Sequence, residues 1–542
     1  MIKSKKTIYT FILLFLLMIT VVFSIKVTKR ATNSVIEGDA SAEIVLSYKL
    51  FQNKELFSKD WRYPNEMQIF LQLIFAPLFG LFMNWSRVRF VGTLILHFFM
   101  ILTFIFMMKK ANQSLNSIIL GIVLLLLPYC IVYGRIALYQ VMYLPNIIIS
   151  FILVGLLFSV MKAYSHGNMK RVFAYMSLLY GFTFLVCMTG IRFISEILMP
   201  IITVYLLSSF VTNQFQIKNK TYTILWIISL TGTVISGIAG YLVSKHTVMK
   251  MYNIGNSSAK SLSMGIRTFP EPSIWKCIPH QFGYRTNIDM VSIIGILSLA
   301  GIFVAFYVLY TSIHSYIEKS MDIYNIVLRR MSFVSFLIVA LEMCFINDLE
   351  VTPRYFISSS IWMIPMLCSY LDDFIEQKGI NPRKLVYYGC IGVIALNGFL
   401  NMSFFLNPNG IAKQSYEGLP ITNPNMVGDL KRSMEFIKEN EYEFGYAPYW
   451  EATTITEKTN GLPVGGFTVE GDKIVPAAML TLRSYDTYEA DKVFLLLDVT
   501  NAQYFPDFDV SFEWSEVYRD THYVIYDIPD LDQLRGYLSR QE

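Results

Sequence analysis

Eleven apolar runs dominate this chain, near residues 7–25, 90–108, 117–133, 144–161, 172–189, 193–210, 222–243, 290–310, 331–347, 355–371 and 385–405. Each has about the length that an α-helix needs to cross the hydrocarbon layer of a bilayer. Lipid offers backbone amides no hydrogen-bond partner, so runs of this length are stable there only as helices. The first run follows MIKSKK, with no small-residue cleavage site after it, and is expected to stay as a signal anchor. Composition agrees: 54% of residues are hydrophobic, 16% are charged, and mean hydropathy is +0.45. The net charge of +5 is mild, and the basic residues lie in short clusters between the runs, which argues against nucleic acid as a partner. Five cysteines, 130, 187, 344, 368 and 390, fall in or beside apolar runs and Cys277 lies in a loop. That pattern suggests neither a disulfide framework nor a thiolate metal site.

A twelfth apolar stretch, Gln68 to Met83, is short and carries Pro77 and Gly80, so it reads as an interfacial or re-entrant element. With that stretch left out of the count, the short loops on the N-terminal side hold Lys3, Lys5, Lys6, Lys109, Lys110, Lys162, Lys170, Arg171, Lys218, Lys220, Lys319, Arg329, Arg330, Lys378, Arg383 and Lys384. The opposite short loops hold only Arg135, Arg192 and Arg354. The positive-inside rule then places the N-terminus in the cytoplasm and the C-terminus outside a plasma membrane. Lys26, Lys29 and Arg30 oppose it, but they open a long loop, where the rule has less force.

Three large pieces thus face outward: residues 26–89, residues 244–289, and everything after about 406. In the first, Ile44, Tyr48 and Phe51 recur at helical spacing among Glu43, Lys49, Asn53 and Lys54, which predicts an amphipathic helix on the outer leaflet. A turn-rich patch, SKDWRYPNE, follows it. In the third, Met426, Leu430, Met434 and Ile437 predict a helix, while FGYAPYW, KVFLLLD and THYVIYDI predict strands. The expected architecture is a polytopic α-helical membrane module, residues 1–405, carrying a small extracytoplasmic α/β domain, residues 406–542. That domain contains no nucleophile elbow, phosphate loop or metal-ligand spacing, so acceptor binding or completion of a cleft is its expected role.

The first outer loop, GDASAEIVLSYKLFQNKELFSKDWRYPNEMQIFLQLIFAPLFGLF, resembles that of the GT-C class of integral-membrane glycosyltransferases, which includes protein O-mannosyltransferases and aminoarabinose transferases. Arg89, opening the next run, matches that family's usual arginine, and TPRYFISSSIWMIPML resembles its late Arg-Tyr motif at Arg354 and Tyr355. The resemblance covers residues 1–405 and implies a polyprenyl-phosphate-linked sugar as donor, chemistry on the outer face, and Asp39 as general base. The second outer loop, YGRIALYQVMYLPN, lacks the acidic residue that ligates metal in some members, so dependence on a divalent metal is not expected.

The residues themselves suit that chemistry. Sugar transfer from a lipid phosphate needs a base for the incoming hydroxyl and a cation at the leaving phosphate. Asp39 and Glu43 lie one helical turn apart, where repulsion and burial raise one of the two pKa values; alternatively Asp39 simply caps its helix. Arg135, Arg192 and Arg354 stand at the mouths of spans, where guanidinium groups bind phosphate or merely snorkel to lipid headgroups. Glu196 is expected to pair with Arg192. Asp60 and Glu66 in the turn patch, and His280 and Arg285 in IPHQFGYR, are further candidates for acceptor or donor contact, each with a plain structural alternative. Richness in Ile, Lys, Asn and Tyr suggests an AT-rich bacterial genome, with wall polysaccharide, teichoic acid or protein as acceptor. Two other functions fit a polytopic chain. A transporter or flippase calls for mid-bilayer charges, broken paired helices and an internal repeat, of which the chain shows little beyond Glu342 and His97, and a polymerase or ligase calls for functional segments in large late loops rather than a first-loop carboxylate.

Overall fold

The computed structural model describes residues 2–35, 37–64, 69–190, 192–212, 220–254, 277–285, 288–318, 321–345, 351–376, 379, 381–407, 424–470, 473–500 and 514–538. All eleven apolar runs contain helix. Among the described residues six helices are long and apolar enough to cross a membrane: Thr7–Ser34, Trp85–Lys110, Leu144–Ser165, Thr223–Met251, Ile293–His314 and Pro382–Leu406. The other runs are shorter, more polar or broken. Leu115–Leu126 stops ahead of Pro128, and the run carrying the Arg-Tyr motif divides into a 3-10 turn, Pro353–Phe356, a short turn of helix, Ile357–Ser360, and the helix Met363–Glu376. Proline cannot donate to a helical ladder, so Pro353 serves at a helix start, where the donor is not needed.

The chain divides into two compact units. The first is built within residues 1–28, 93–247 and 260–421 and is almost wholly helical. Two of its segments, Tyr133–Tyr139 and Ile194–Leu198, are wound as π-helix. Such windings are uncommon and are often found at functional sites; these two carry Arg135 and Glu196.

The second unit, within residues 29–92, 248–259 and 422–542, joins the segment after the first long helix to the C-terminal domain. Its centre is a six-stranded sheet of β1 (Phe444–Pro448), β2 (Val464–Glu470), β3 (Lys473–Pro476), β4 (Val493–Asp498), β5 (Ser515–Arg519) and β6 (Tyr523–Ile528), in the order β3-β2-β1-β4-β6-β5. VFLLLD is buried along its whole length because β4 lies inside the sheet with both faces covered. Strands β2, β1 and β4 run parallel, so a crossover must join β1 to β2, and the helix Tyr449–Lys458 supplies it.

The expected amphipathic helix is present as Gly38–Asn53, but its surroundings are protein. Residues Gly38 and Ala40 to Ser47 are buried. The small residues Gly38, Ser41 and Ala42 share one side and allow close approach there, and the polar Lys49, Asn53 and Lys54 that suggested a membrane-facing helix sit near its end. The Pro77 stretch forms only the short helix Ile69–Leu78, about 15 Å long at the usual rise and too short to span.

Candidate functional site

In the second unit, the Gly38–Asn53 helix starts from an extended Glu37 whose side chain makes no capping bond. Asp39 lies in the first turn, where the helix dipole favours a negative charge. Its Oδ1 accepts a hydrogen bond from the Tyr449 hydroxyl at 2.9 Å. One turn on, Glu43 is only 9% exposed and accepts from the Gln72 side-chain amide. Burial, reinforced by the neighbouring Asp39 charge, pushes the Glu43 carboxyl up to about 8, so at neutral pH it is largely the uncharged acid. The two carboxyls thus differ in kind: Glu43 is enclosed, whereas Asp39 is half-exposed and hydrogen-bonded by a tyrosine.

Arg89 is 1% exposed and donates from Nε to Glu457 Oε1 at 2.7 Å, from Nη2 to Glu457 Oε2, and from Nη2 to the Ala40 carbonyl at 2.8 Å. Its geometry is that of a tie between helices. Asp60 accepts from the Ser484 amide and hydroxyl, both at 2.7 Å, and pairs with Lys49 at 3.1 Å. Burial raises its pKa, but the Ser484 and Lys49 partners outweigh that and hold it below the ordinary value. Trp61 bridges to Leu482, and Arg62 pairs with Asp486, so the turn patch is stitched to the segment after β3. Glu66 lies outside the described residues.

In the first unit, Arg192 donates from Nε to Glu196, whose Oε2 also accepts from Asn146 at 3.2 Å. The Arg192 guanidinium stands 4.4 Å from the Tyr143 ring centroid and 5.7 Å from that of Tyr355, and Arg354 stands 5.3 Å from Tyr355. Arg192, distant in sequence, is therefore a neighbour of the Arg354–Tyr355 pair; buried Arg135 sits in its own π-helical turn. Glu342 lies beside this cluster, with Ser195 bonded to it.

The segment IPHQFGYR is folded inward. Its Gln281 amide donates to the Pro353 carbonyl at 2.7 Å and its Oε1 accepts from Ser360 at 3.2 Å, which ties the segment to the Arg-Tyr motif. His280 Nδ1 bonds the Tyr284 carbonyl at 2.9 Å, an internal turn contact. Arg285 is 3% exposed, with its backbone N–H on Ser298 Oγ at 2.7 Å, its Nη2 on Asn401, and its guanidinium 5.1 Å from the Phe404 ring centroid. Among the described residues its Nε and Nη1 find no acceptor and no carboxylate pairs with it. Burial draws its pKa down to about 10, so it stays charged at neutral pH. A buried cation without a counter-ion is costly, and an anionic ligand offsets that cost.

Among the described residues no group of three or more His, Cys, Asp or Glu side chains is placed to hold a metal ion. Sequence reasoning passed over Tyr449, Gln72 and Glu457. Tyr449 was concealed in FGYAPYW, whose alternation reads as one strand; Pro448 was the available signal that the strand ends there.

No family model matches the chain, and no curated protein matches it. Solved structures do. ArnT from Cupriavidus metallidurans in the apo state superposes with a TM-score of 0.53 at 12% identity, covering 98% of this chain and 99% of that one. ArnT bound to undecaprenyl phosphate gives 0.49 at 10% identity, over 95% and 97% of the two chains. An oligosaccharyltransferase from Archaeoglobus fulgidus, tethered to an acceptor peptide, gives 0.43 at 12% identity over 83% of this chain and 63% of that one. The near-complete mutual coverage with apo ArnT means that the membrane helices and the C-terminal domain are both shared. The chain shares its fold with ArnT.

Proposed function

We propose that this protein transfers a sugar from a polyprenyl-phosphate donor to a hydroxyl of a cell-envelope acceptor on the outer membrane face, with inversion. Asp39 takes the proton of the acceptor hydroxyl as its oxygen attacks the anomeric carbon. The bond from that carbon to the phosphate oxygen breaks, and its electron pair leaves with the polyprenyl phosphate. Charge growing on the phosphate needs a cation, and Arg285, assisted by Arg192, Arg354 and Tyr355 of the same unit, is the proposed binding set. An undecaprenyl-phosphate-like donor follows from the sequence resemblance; ArnT, whose fold this chain shares, has been crystallised with undecaprenyl phosphate.

The observation that carries this reading is Arg285, a buried guanidinium whose Nε and Nη1 meet no acceptor among the described residues. A flippase would also bind a lipid phosphate, so binding alone does not separate the two. The separating experiment incubates purified protein in nanodiscs with radiolabelled undecaprenyl-phosphate hexose and a wall-polysaccharide and teichoic-acid extract. Label moving into the extract, with release of undecaprenyl phosphate, supports transfer. Movement of intact donor between leaflets without cleavage supports the flippase and overturns the proposal.

A further inference from the structure

The helix Tyr449–Lys458 leaves the carboxyl end of β1 and lies along the first turn of the Gly38–Asn53 helix. Several contacts fix that alignment. Thr453 Oγ1 donates to the Gly38 carbonyl at 2.7 Å, and Ser41 Oγ meets Thr454 Oγ1 at 3.4 Å. A Cβ on Gly38 would stand 2.8 Å from the Trp450 carbonyl oxygen, so glycine is what lets the two backbones approach this closely. Arg89 links the Ala40 carbonyl to Glu457. Within this frame the Tyr449 hydroxyl reaches Asp39, and the Tyr449 ring is itself braced edge-on by Trp450, centroids 4.9 Å apart.

A phenol donating to a carboxylate favours the ionised form and restricts its rotamer. We propose that Tyr449 is the positioning residue for Asp39, holding it ionised and aimed, so that the C-terminal sheet domain governs the base. This rests on the reading of Asp39 as general base. Among the described residues, the other charged groups on the elements packed around that turn are Glu37 at its N-cap, Glu43 and Lys49 on its own helix, Arg87 and Arg89 at the start of Trp85–Lys110, and Glu451, Glu457 and Lys458 on the β1–β2 crossover; Ile69–Leu78 has none. Glu457 is neutralised by Arg89.

Tyr449→Phe keeps the ring and its packing and removes only the hydroxyl. In the full-length protein in detergent, carbodiimide coupling to glycinamide reports the protonated fraction of Asp39 at each pH, mapped by peptide mass. The expected midpoint in Tyr449→Phe lies higher than in wild type by about one pH unit, the scale of one hydrogen bond to a charged group. The acidic limb of the transfer rate, measured with synthetic undecaprenyl-phosphate hexose, moves by the same amount. An unchanged coupling midpoint overturns the proposal. A raised midpoint with a wild-type transfer profile shows the hydrogen bond but removes Asp39 as the base, and Tyr449 with it from the reaction.

Discussion

Arg89 and Glu457 form a two-pronged ion pair from which water is excluded, with side chains 1% and 0% exposed. Burial alone would raise the Glu457 pKa, but Arg89 and then Lys458 outweigh it and hold the carboxylate below its usual value. The pair joins the helix after the first outer loop to the β1–β2 crossover within one unit.

Breaking a buried pair strands one charge, so Arg89→Ala or Glu457→Ala is expected to destabilise this unit by about 3–5 kcal/mol. Arg89→Lys rescues little, because an ammonium cannot supply the two parallel bonds and the Ala40 contact. Thermal unfolding in micelles reads the loss; a wild-type transition in Arg89→Ala would contradict the structural role.

Glu43 gives the second unit a pH-dependent stability. Its carboxyl binds a proton more tightly folded, at about 8, than the ordinary 4.5 of the unfolded chain. Its stabilising contribution is therefore complete below about 4.5 and is lost as pH rises through about 8. Glu43→Gln cannot ionise and can still bond Gln72. The difference in Tm between variant and wild type should favour the variant increasingly from pH 5 to pH 9. Parallel curves would show that Glu43 does not titrate in that window.

Arg285→Met is expected to act with opposite signs on stability and binding. Removing an uncompensated buried cation leaves the unliganded protein as stable as wild type or more so. The upward Tm shift that undecaprenyl phosphate gives wild type should be absent, with affinity reduced about tenfold or more. A variant that binds undecaprenyl phosphate with wild-type affinity would remove Arg285 from the phosphate site.

The membrane module was legible because lipid imposes one solution on long apolar runs, and the helix 424–439 and strands β1, β4 and β6 were legible from periodicity. What lies around Asp39 was not. Its partner Tyr449 is 410 residues away in the chain, and no local pattern encodes such a pairing. The helix at 38–53 was read correctly and its environment was not, since Lys49 and Lys54 mark a polar end while Gly38 and Ser41 mark a face for another helix. Among the arginines, charge and position singled out Arg135, Arg192 and Arg354 equally. Packing distinguishes them: Arg192 already pairs with Glu196, whereas Arg285, in a loop of mixed composition, is a buried cation for which no carboxylate partner lies among the described residues.

The central claim is that Asp39 is the base, and single-turnover transfer by Asp39→Asn tests it most directly. Asparagine keeps the shape and can still meet the Tyr449 hydroxyl, but it cannot accept a proton. With labelled undecaprenyl-phosphate hexose and the wall extract, transfer should fall by about 10²–10⁴-fold while donor binding stays near wild type. Transfer by Asp39→Asn at the wild-type rate would contradict the assignment.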